Sequence, residues 1–193
     1  GCLVATEEGA TTREGVFAGG DAVTGAATVI TTGDLTVTSG TFGSDATVNV
    51  GGDAKIIDLT VTGTSDIDVT GNFETTNATL TGAADVNVKG DFTTINFTAE
   101  DNLVLTVEGA ATAENLTVGK ELTATVKSLN VTDTLDVTGN ATVTVTEDMT
   151  VTNGSFGADA TINVGGNAKA LLFTTSTCPN CTIAKSIDEL TKA

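Results

Sequence analysis

Residues 52–70 read GDAKIIDLTVTGTSDIDVT, and residues 71–89 read GNFETTNATLTGAADVNVK. Gly52 returns as Gly71 and Val69 returns as Val88, so the sequence repeats with a spacing of 19 residues. The same spacing extends from residue 33 to residue 165. The position that opens each block is mostly glycine: Gly33, Gly52, Gly71, Gly90 and Gly109, then Ser128 and Glu147, then Gly166. A fixed period near 20 with apolar columns is typical of a solenoid in which each repeat forms one coil.

Apolar and polar residues alternate at the end of each block, as in Ala84-Asp85-Val86-Asn87-Val88. A period of two indicates a strand with one set of side chains inside and the other in water. A second strand carries pairs such as Leu59 and Val61, and a weaker first strand carries pairs such as Leu35 and Val37. The pattern predicts an all-β fold, a single-stranded parallel β-solenoid with about 19 residues and three short strands per coil.

The columns also predict how the coils pack on one another. Gly40 accompanies Phe42, and Gly154 accompanies Phe156, which is the compensation that a core of constant cross-section requires. Stacked asparagines at one corner are expected to hydrogen-bond along the stack: Asn77, Asn96 and Asn115. The glycine column is expected to mark a corner where a positive φ is tolerated.

Two irregularities interrupt the simple repeat. Residues 34–55 and 148–169 match at 16 of 22 positions, which indicates duplication of a block of coils. The apolar residues of Ser128-Leu129-Asn130-Val131 stand one place early, and this shift predicts a β-bulge.

Composition excludes several classes of function. The net charge is −17 with eight Lys and Arg in 193 residues, which argues against nucleic-acid binding and against binding to an anionic membrane surface. Because the chain has no His, histidine-based catalysis and histidine metal sites are excluded. No apolar run reaches the roughly 18 residues of a transmembrane helix, so no membrane insertion is expected.

The first segment, residues 1–32, is expected to cap the solenoid coils of residues 33–169. Its stretch Gly15-Val16-Phe17-Ala18-Gly19-Gly20-Asp21 resembles a late segment of FAD- and NAD(P)-dependent oxidoreductases of the glutamate synthase small-subunit group. The resemblance implies a flavin site in which Asp21 bonds the ribityl or phosphate region and Gly19 and Gly20 allow close approach of the backbone. The Gly-x-Gly-x-x-Gly loop of such enzymes is absent from this sequence.

The last segment, residues 170–193, contains Cys178-Pro179-Asn180-Cys181 after an apolar run. It resembles the first βα unit of glutaredoxin- and thioredoxin-like domains. The resemblance implies that Cys178 is the attacking thiolate and Cys181 the resolving thiol. Ile183, Ile187 and Leu190 share one face of a short amphipathic helix, which is predicted to cap the C-terminal end of the stack.

The coils themselves resemble β-solenoid passengers of bacterial surface adhesins, such as autotransporters and filamentous haemagglutinins. The resemblance implies a non-enzymatic structural or surface protein, a stalk, adhesin segment or fibre subunit, located outside the cell or on its surface. Such a protein has no cofactor, and its terminal coils are expected to associate end to end. A thiol or flavin redox protein that uses Cys178 and Cys181, with FAD as cofactor, is the alternative.

Outward threonines open a further alternative, an ice- or glycan-binding solenoid. Such pairs can form flat hydroxyl rows, and they are Thr60/Thr62, Thr79/Thr81, Thr123/Thr125 and Thr142/Thr144. Aspartates that interrupt these rows, among them Asp66, Asp68 and Asp85, are scattered singly along the sequence. They are interpreted as solvated charge, and no metal site and no catalytic carboxylate pair are predicted.

Overall fold

The structure, a computed structural model, describes residues 16–20, 27–157, 159–175 and 182–184. These ranges are all-β and contain no helix. Their strands are β1 (Val16–Gly20), β2 (Ala27–Thr31), β3 (Leu35–Phe42), β4 (Ala46–Val50), β5 (Ala54–Val61), β6 (Ser65–Val69), β7 (Phe73–Leu80), β8 (Ala84–Val88), β9 (Phe92–Ala99), β10 (Leu103–Val118), β11 (Leu122–Val137), β12 (Ala141–Val145), β13 (Met149–Phe156), β14 (Ala160–Val164), β15 (Ala168–Thr175) and β16 (Thr182–Ala184).

Each coil has three faces, because the alternation of buried and outward residues breaks at fixed places. In β5, Ala54 and Ile56 are buried, the next two residues face outward, and Leu59 and Val61 are buried again. Two consecutive outward residues bend the strand and form a corner. Face A comprises residues 54–56 and their equivalents in other coils, face B comprises residues 59–61, and face C comprises residues 65–69.

Parallel pairing in register stacks the coils on one another. Val69 pairs with Val88, and Val88 pairs with Val107, and all three side chains are buried. On face C the offset between neighbouring strands is 19 residues at every step from β2 to β14. The stack has about seven turns, which confirms the predicted β-solenoid.

The predicted bulge is present and is confined to face A of one coil. Val107 pairs with Val126 at an offset of 19, but Ala110 pairs with Ser128 at an offset of 18. The offset of 19 is restored where Asn115 pairs with Thr134. The later coil is therefore one residue shorter than the earlier one at the corner between faces C and A, and one residue longer at the corner between faces A and B. Face C continues without a shift.

Apolar side chains from all three faces fill one continuous core, from Leu35 to Val164. Ring centroids of Phe73 and Phe92 lie 5.4 Å apart, and those of Phe92 and Phe97 lie 5.5 Å apart in an edge-to-face arrangement. A Cβ atom on Gly40 would lie 3.2 Å from Cε2 of Phe42, so the small residue makes room for the large one. The predicted compensation of sizes is confirmed at this pair.

The two ends of the stack differ from its middle. At the N-terminal end β1 pairs antiparallel with β2, Val16 opposite Thr31, so the parallel coils begin at Ala27. At the C-terminal end residues 182–184 form β16, in which Ile183 pairs with Ile162 of β14. The prediction of a helix is wrong for these three residues, because an edge of β14 is available to pair with them. Ile187 and Leu190, the rest of the predicted helix, lie outside the described residues.

Candidate functional surfaces

A row of Asp and Asn side chains joins successive coils at the corner between faces C and A. Asp34 Oδ1 accepts the backbone N–H of Asp53 at 2.9 Å, and Asp53 Oδ1 accepts that of Asn72 at 2.7 Å. The row continues through Asp91 and reappears where Asp148 Oδ1 accepts the N–H of Asn167 at 2.8 Å. We call these residues the Asx row. The Asx row was not predicted, although a Gly-Asp or Gly-Asn pair opens four successive blocks of the repeat, from Gly33 to Asp91, and returns at Gly166.

The glycine column stands beside the Asx row for a steric reason. A Cβ atom on Gly71 would overlap Asp53 Oδ1 and would lie 2.8 Å from the carbonyl carbon and oxygen of Gly52. Gly52, Gly90, Gly109 and Gly166 are equally crowded by the Asx residue of the preceding coil. The expectation of a positive φ in this column is wrong. Among the described glycines only Gly63 has a positive φ, 98°, and it lies at the corner between faces B and C.

The predicted asparagine stack is present at the corner between faces A and B. Asn77 Nδ2 donates to Asp58 Oδ1 at 2.8 Å, Asn96 Nδ2 donates to Asn77 Oδ1 at 2.9 Å, and Asn115 Nδ2 donates to Asn96 Oδ1 at 3.0 Å. Each inner carboxamide thus donates to one coil and accepts from the next. We call these four residues the Asn ladder, and it acts together with the Asx row in holding the coils in register.

Three carboxylates meet on the outer surface of face C. Asp66 and Asp85 are paired across β6 and β8, and Asp68 lies on the same face of β6. Partial burial raises the pKa of Asp66, and the charges of Asp68 and Asp85 raise it further. The interpretation of these residues as scattered singly is therefore wrong, because stacking brings together residues 19 positions apart. No group of metal-ligating side chains that would hold an ion occurs within the described ranges.

The threonine pairs that looked alike in the sequence lie on different faces. Thr60 and Thr79 are outward on face B, whereas the pairs Thr123/Thr125 and Thr142/Thr144 are outward on face C. Thr62 and Thr81 belong to the corner beyond face B, where their hydroxyls donate to the carbonyls of Phe42 and Val61. Within the described ranges, only face C therefore carries complete Thr-x-Thr pairs in adjacent coils.

The described structure includes only two of the predicted redox residues, Gly19 and Gly20, so the redox site stays a prediction. Cys178, Cys181 and Asp21 lie outside the described residues. Gly19 and Gly20 form the end of β1, where they pair with Thr28 and Ala27.

A shallow surface depression lies at the corner between faces B and C. Its lining includes Asn102, Lys120 and Asn140, and Lys120 Nζ lies 2.6 Å from Asp101 Oδ2. These groups serve contacts between coils.

The sequence matches no protein-family model, and no curated protein and no solved structure gives a significant match. The resemblances of the middle and of both ends therefore stay predictions. No helix long and apolar enough to span a membrane occurs in the described part of the chain. The chain is a β-solenoid repeat protein, as its stacked coils, continuous core and polar rows show.

Proposed function

We propose that this chain is a non-enzymatic structural β-solenoid that acts as a rigid spacer or stalk on the cell surface. The observation that carries the proposal is the continuous set of bonds between coils. Backbone groups link each coil to the next from Leu35 to Asn167, and the Asx row and the Asn ladder run parallel to them. Polar side chains thus form hydrogen bonds along the axis of the stack, which suits a rod that keeps its length under tension.

Ion pairs on the surface also join neighbouring coils along the axis of the stack. Lys55 and Glu74, at 2.6 Å, and Lys120 and Asp101, also at 2.6 Å, each bridge adjacent coils. Exposed pairs of this kind add about 0–1 kcal/mol each. They support a role in which neighbouring coils must resist separation.

Two measurements test the spacer role. Small-angle scattering of the purified chain should show a rod whose solenoid part is about 35 Å long, since seven coils stack at about 4.8 Å. In-frame removal of residues 53–90, two complete coils, should shorten the rod by about 10 Å and leave it folded.

The surface location is tested separately. Protease treatment of intact producing cells should cleave the chain, while a cytosolic marker survives. A chain protected until the cells are lysed would contradict the surface role.

We further propose end-to-end self-association through the terminal coils as the route to a fibre. Residues 34–55 are a near copy of residues 148–169, yet their strands have different neighbours. β13 pairs on both edges, with β11 and β15, whereas β3 pairs only with β5 among the described strands. Because β13 accepts a strand on each of its edges, the similar sequence of β3 should allow the second edge of β3 to pair with a strand of another molecule. Sedimentation velocity over a wide range of protein concentration tests this, and a single monomeric species throughout would refute it.

The redox alternative depends on Cys178 and Cys181 and on the flavin site implied for Gly19, Gly20 and Asp21. Its tests are independent of the solenoid. Thiol titration before and after reduction measures a disulfide, and the visible absorbance of the purified chain measures bound FAD. Inert thiols in a colourless protein would remove this alternative.

A further inference from the structure

The outer surface of face C divides into two halves of different chemistry. The half nearer the N-terminus carries the three carboxylates of Asp66, Asp68 and Asp85. From residue 104 to residue 163, all but residue 158 described by the structure, the other half has no charged side chain in its two outward columns, although the chain carries a net charge of −17. We call it the hydroxyl half, and it consists of Val104, Thr106, Thr123, Thr125, Thr142, Thr144, Thr161 and Asn163.

The hydroxyls of this half are available to a ligand. Thr123, Thr125 and Thr142 are exposed, and none of their hydroxyls has a hydrogen-bond partner among the described residues. Corner threonines behave differently, since the hydroxyls of Thr62 and Thr146 donate to backbone carbonyls of the preceding coil. Free hydroxyls on face C thus do not contribute to the contacts between coils.

Register makes the hydroxyl half a two-dimensional lattice. Thr123 pairs with Thr142 and Thr142 with Thr161, while Thr125 pairs with Thr144 and Thr144 with Asn163. The bulge at residues 128–131 does not disturb these pairs. The spacing is about 4.8 Å along the stack and about 6.6 Å between the two columns. Each threonine adds a methyl group beside its hydroxyl, so apolar and hydrogen-bonding points alternate at fixed distances.

A lattice of this kind fits a ligand that is itself periodic in two dimensions. Pockets for small ligands are usually concave and lined by hydrophobic and aromatic side chains, whereas this half is an array of paired outward threonines, and the described core phenylalanines Phe73, Phe92, Phe97 and Phe156 are buried. A neutral face also meets a neutral ligand without the repulsion that the net charge would impose on an anionic one. We propose that the hydroxyl half of face C binds the surface of ice, a function separate from the spacer role.

The test compares one substitution on two faces. Thr123→Lys places a long charged side chain in the hydroxyl half, and Thr93→Lys places the same side chain at an exposed position of face A. Thermal hysteresis and inhibition of ice recrystallisation are measured for the full chain and both variants. Circular dichroism and the urea midpoint establish that each variant is folded.

The full chain and Thr93→Lys are expected to show a hysteresis gap, and Thr123→Lys is expected to fall to the value of buffer. The proposal is overturned if the full chain shows neither activity, or if both variants lose activity equally. Binding to an immobilised neutral polysaccharide without any effect on ice would also overturn it and would assign the face to a sugar. None of these outcomes depends on whether the chain is a surface spacer.

Discussion

Asp53 Oδ1 accepts the backbone N–H of Asn72, 19 residues along the chain, at 2.7 Å. Replacing Asp53 with Ala removes the acceptor, and we expect the free energy of unfolding to fall by about 1 kcal/mol. Asp53→Asn is the matched control, because Asn72 of the same row accepts the backbone N–H of Asp91 through its own side-chain oxygen. Urea denaturation measures both variants. Equal losses in the two variants would show that the side-chain bond does not stabilise the corner.

Gly71 and Gly33 occupy the same column but have different surroundings. A Cβ atom on Gly71 would overlap Asp53 Oδ1 and the backbone of Gly52, whereas nothing lies within 4 Å of a Cβ atom on Gly33. Gly71→Ala is expected to destabilise the protein by roughly 1–3 kcal/mol, because the crowded atoms include backbone that cannot move freely. Gly33→Ala should change stability by less than about 0.5 kcal/mol. Thermal unfolding compares the two, and similar losses would contradict the steric explanation.

Asp66 has a raised pKa because it is partly buried and faces Asp68 and Asp85. The folded state therefore binds its proton more tightly than the unfolded state, and the carboxylate costs stability above the folded pKa. Because the Asp66 side chain is exposed, water screens this repulsion, and we expect Asp66→Asn to stabilise the protein at pH 7 by at most a few tenths of a kcal/mol. The gain should shrink as the pH falls through the raised pKa and vanish below the ordinary Asp pKa of about 3.9.

The control for Asp66→Asn is Asp136→Asn on face B, which removes the same charge. Asp136 pairs with Thr117 and Ser155, so no carboxylate faces it from the adjacent coils. Chemical denaturation at several pH values measures both variants. The electrostatic explanation fails if Asp136→Asn gives the same gain with the same pH dependence.

Asn96 occupies an inner position of the Asn ladder, where it donates to Asn77 and accepts from Asn115. Asn96→Ala removes both bonds, and we expect a loss of about 1 kcal/mol in the free energy of unfolding, since these bonds are exposed to water. Asn163→Ala removes an exposed carboxamide that has no such bond and should be nearly neutral. A neutral effect of Asn96→Ala in urea denaturation would show that the ladder does not contribute to stability.

β1 closes the N-terminal edge of face C by pairing antiparallel with β2. Deletion of residues 1–20 would expose the edge of β2 next to that of β3, and unpaired edges of this kind pair with other chains. We expect the shortened chain to associate end to end more strongly than the full chain. Sedimentation velocity at matched concentrations compares the two, and an unchanged distribution would show that β1 does not limit association.

Much of the fold follows from the sequence, because inward positions are constrained to be apolar in every coil. The columns of Val69 and of Leu59 predicted two faces, and the early apolar residues at 128–131 predicted the bulge. The Asn ladder was predictable for a related reason, since a carboxamide has both a donor and an acceptor and can therefore bond to the coils on both sides. The C-terminal helix was predicted wrongly at residues 182–184, because the apolar residues there fit a strand beside β14 as well as a helix face.

By itself the sequence determined the period, the inward columns and the order of the coils, because residues that repeat every 19 positions specify all three. Only the tertiary structure decided which outward residues become neighbours. It separated the threonine pairs of face B from those of face C, brought Asp66 against Asp85, and placed the glycine column against the Asx row. The physical reason is that outward side chains repeat less strictly than buried ones, so their surroundings depend on where each corner bends the chain.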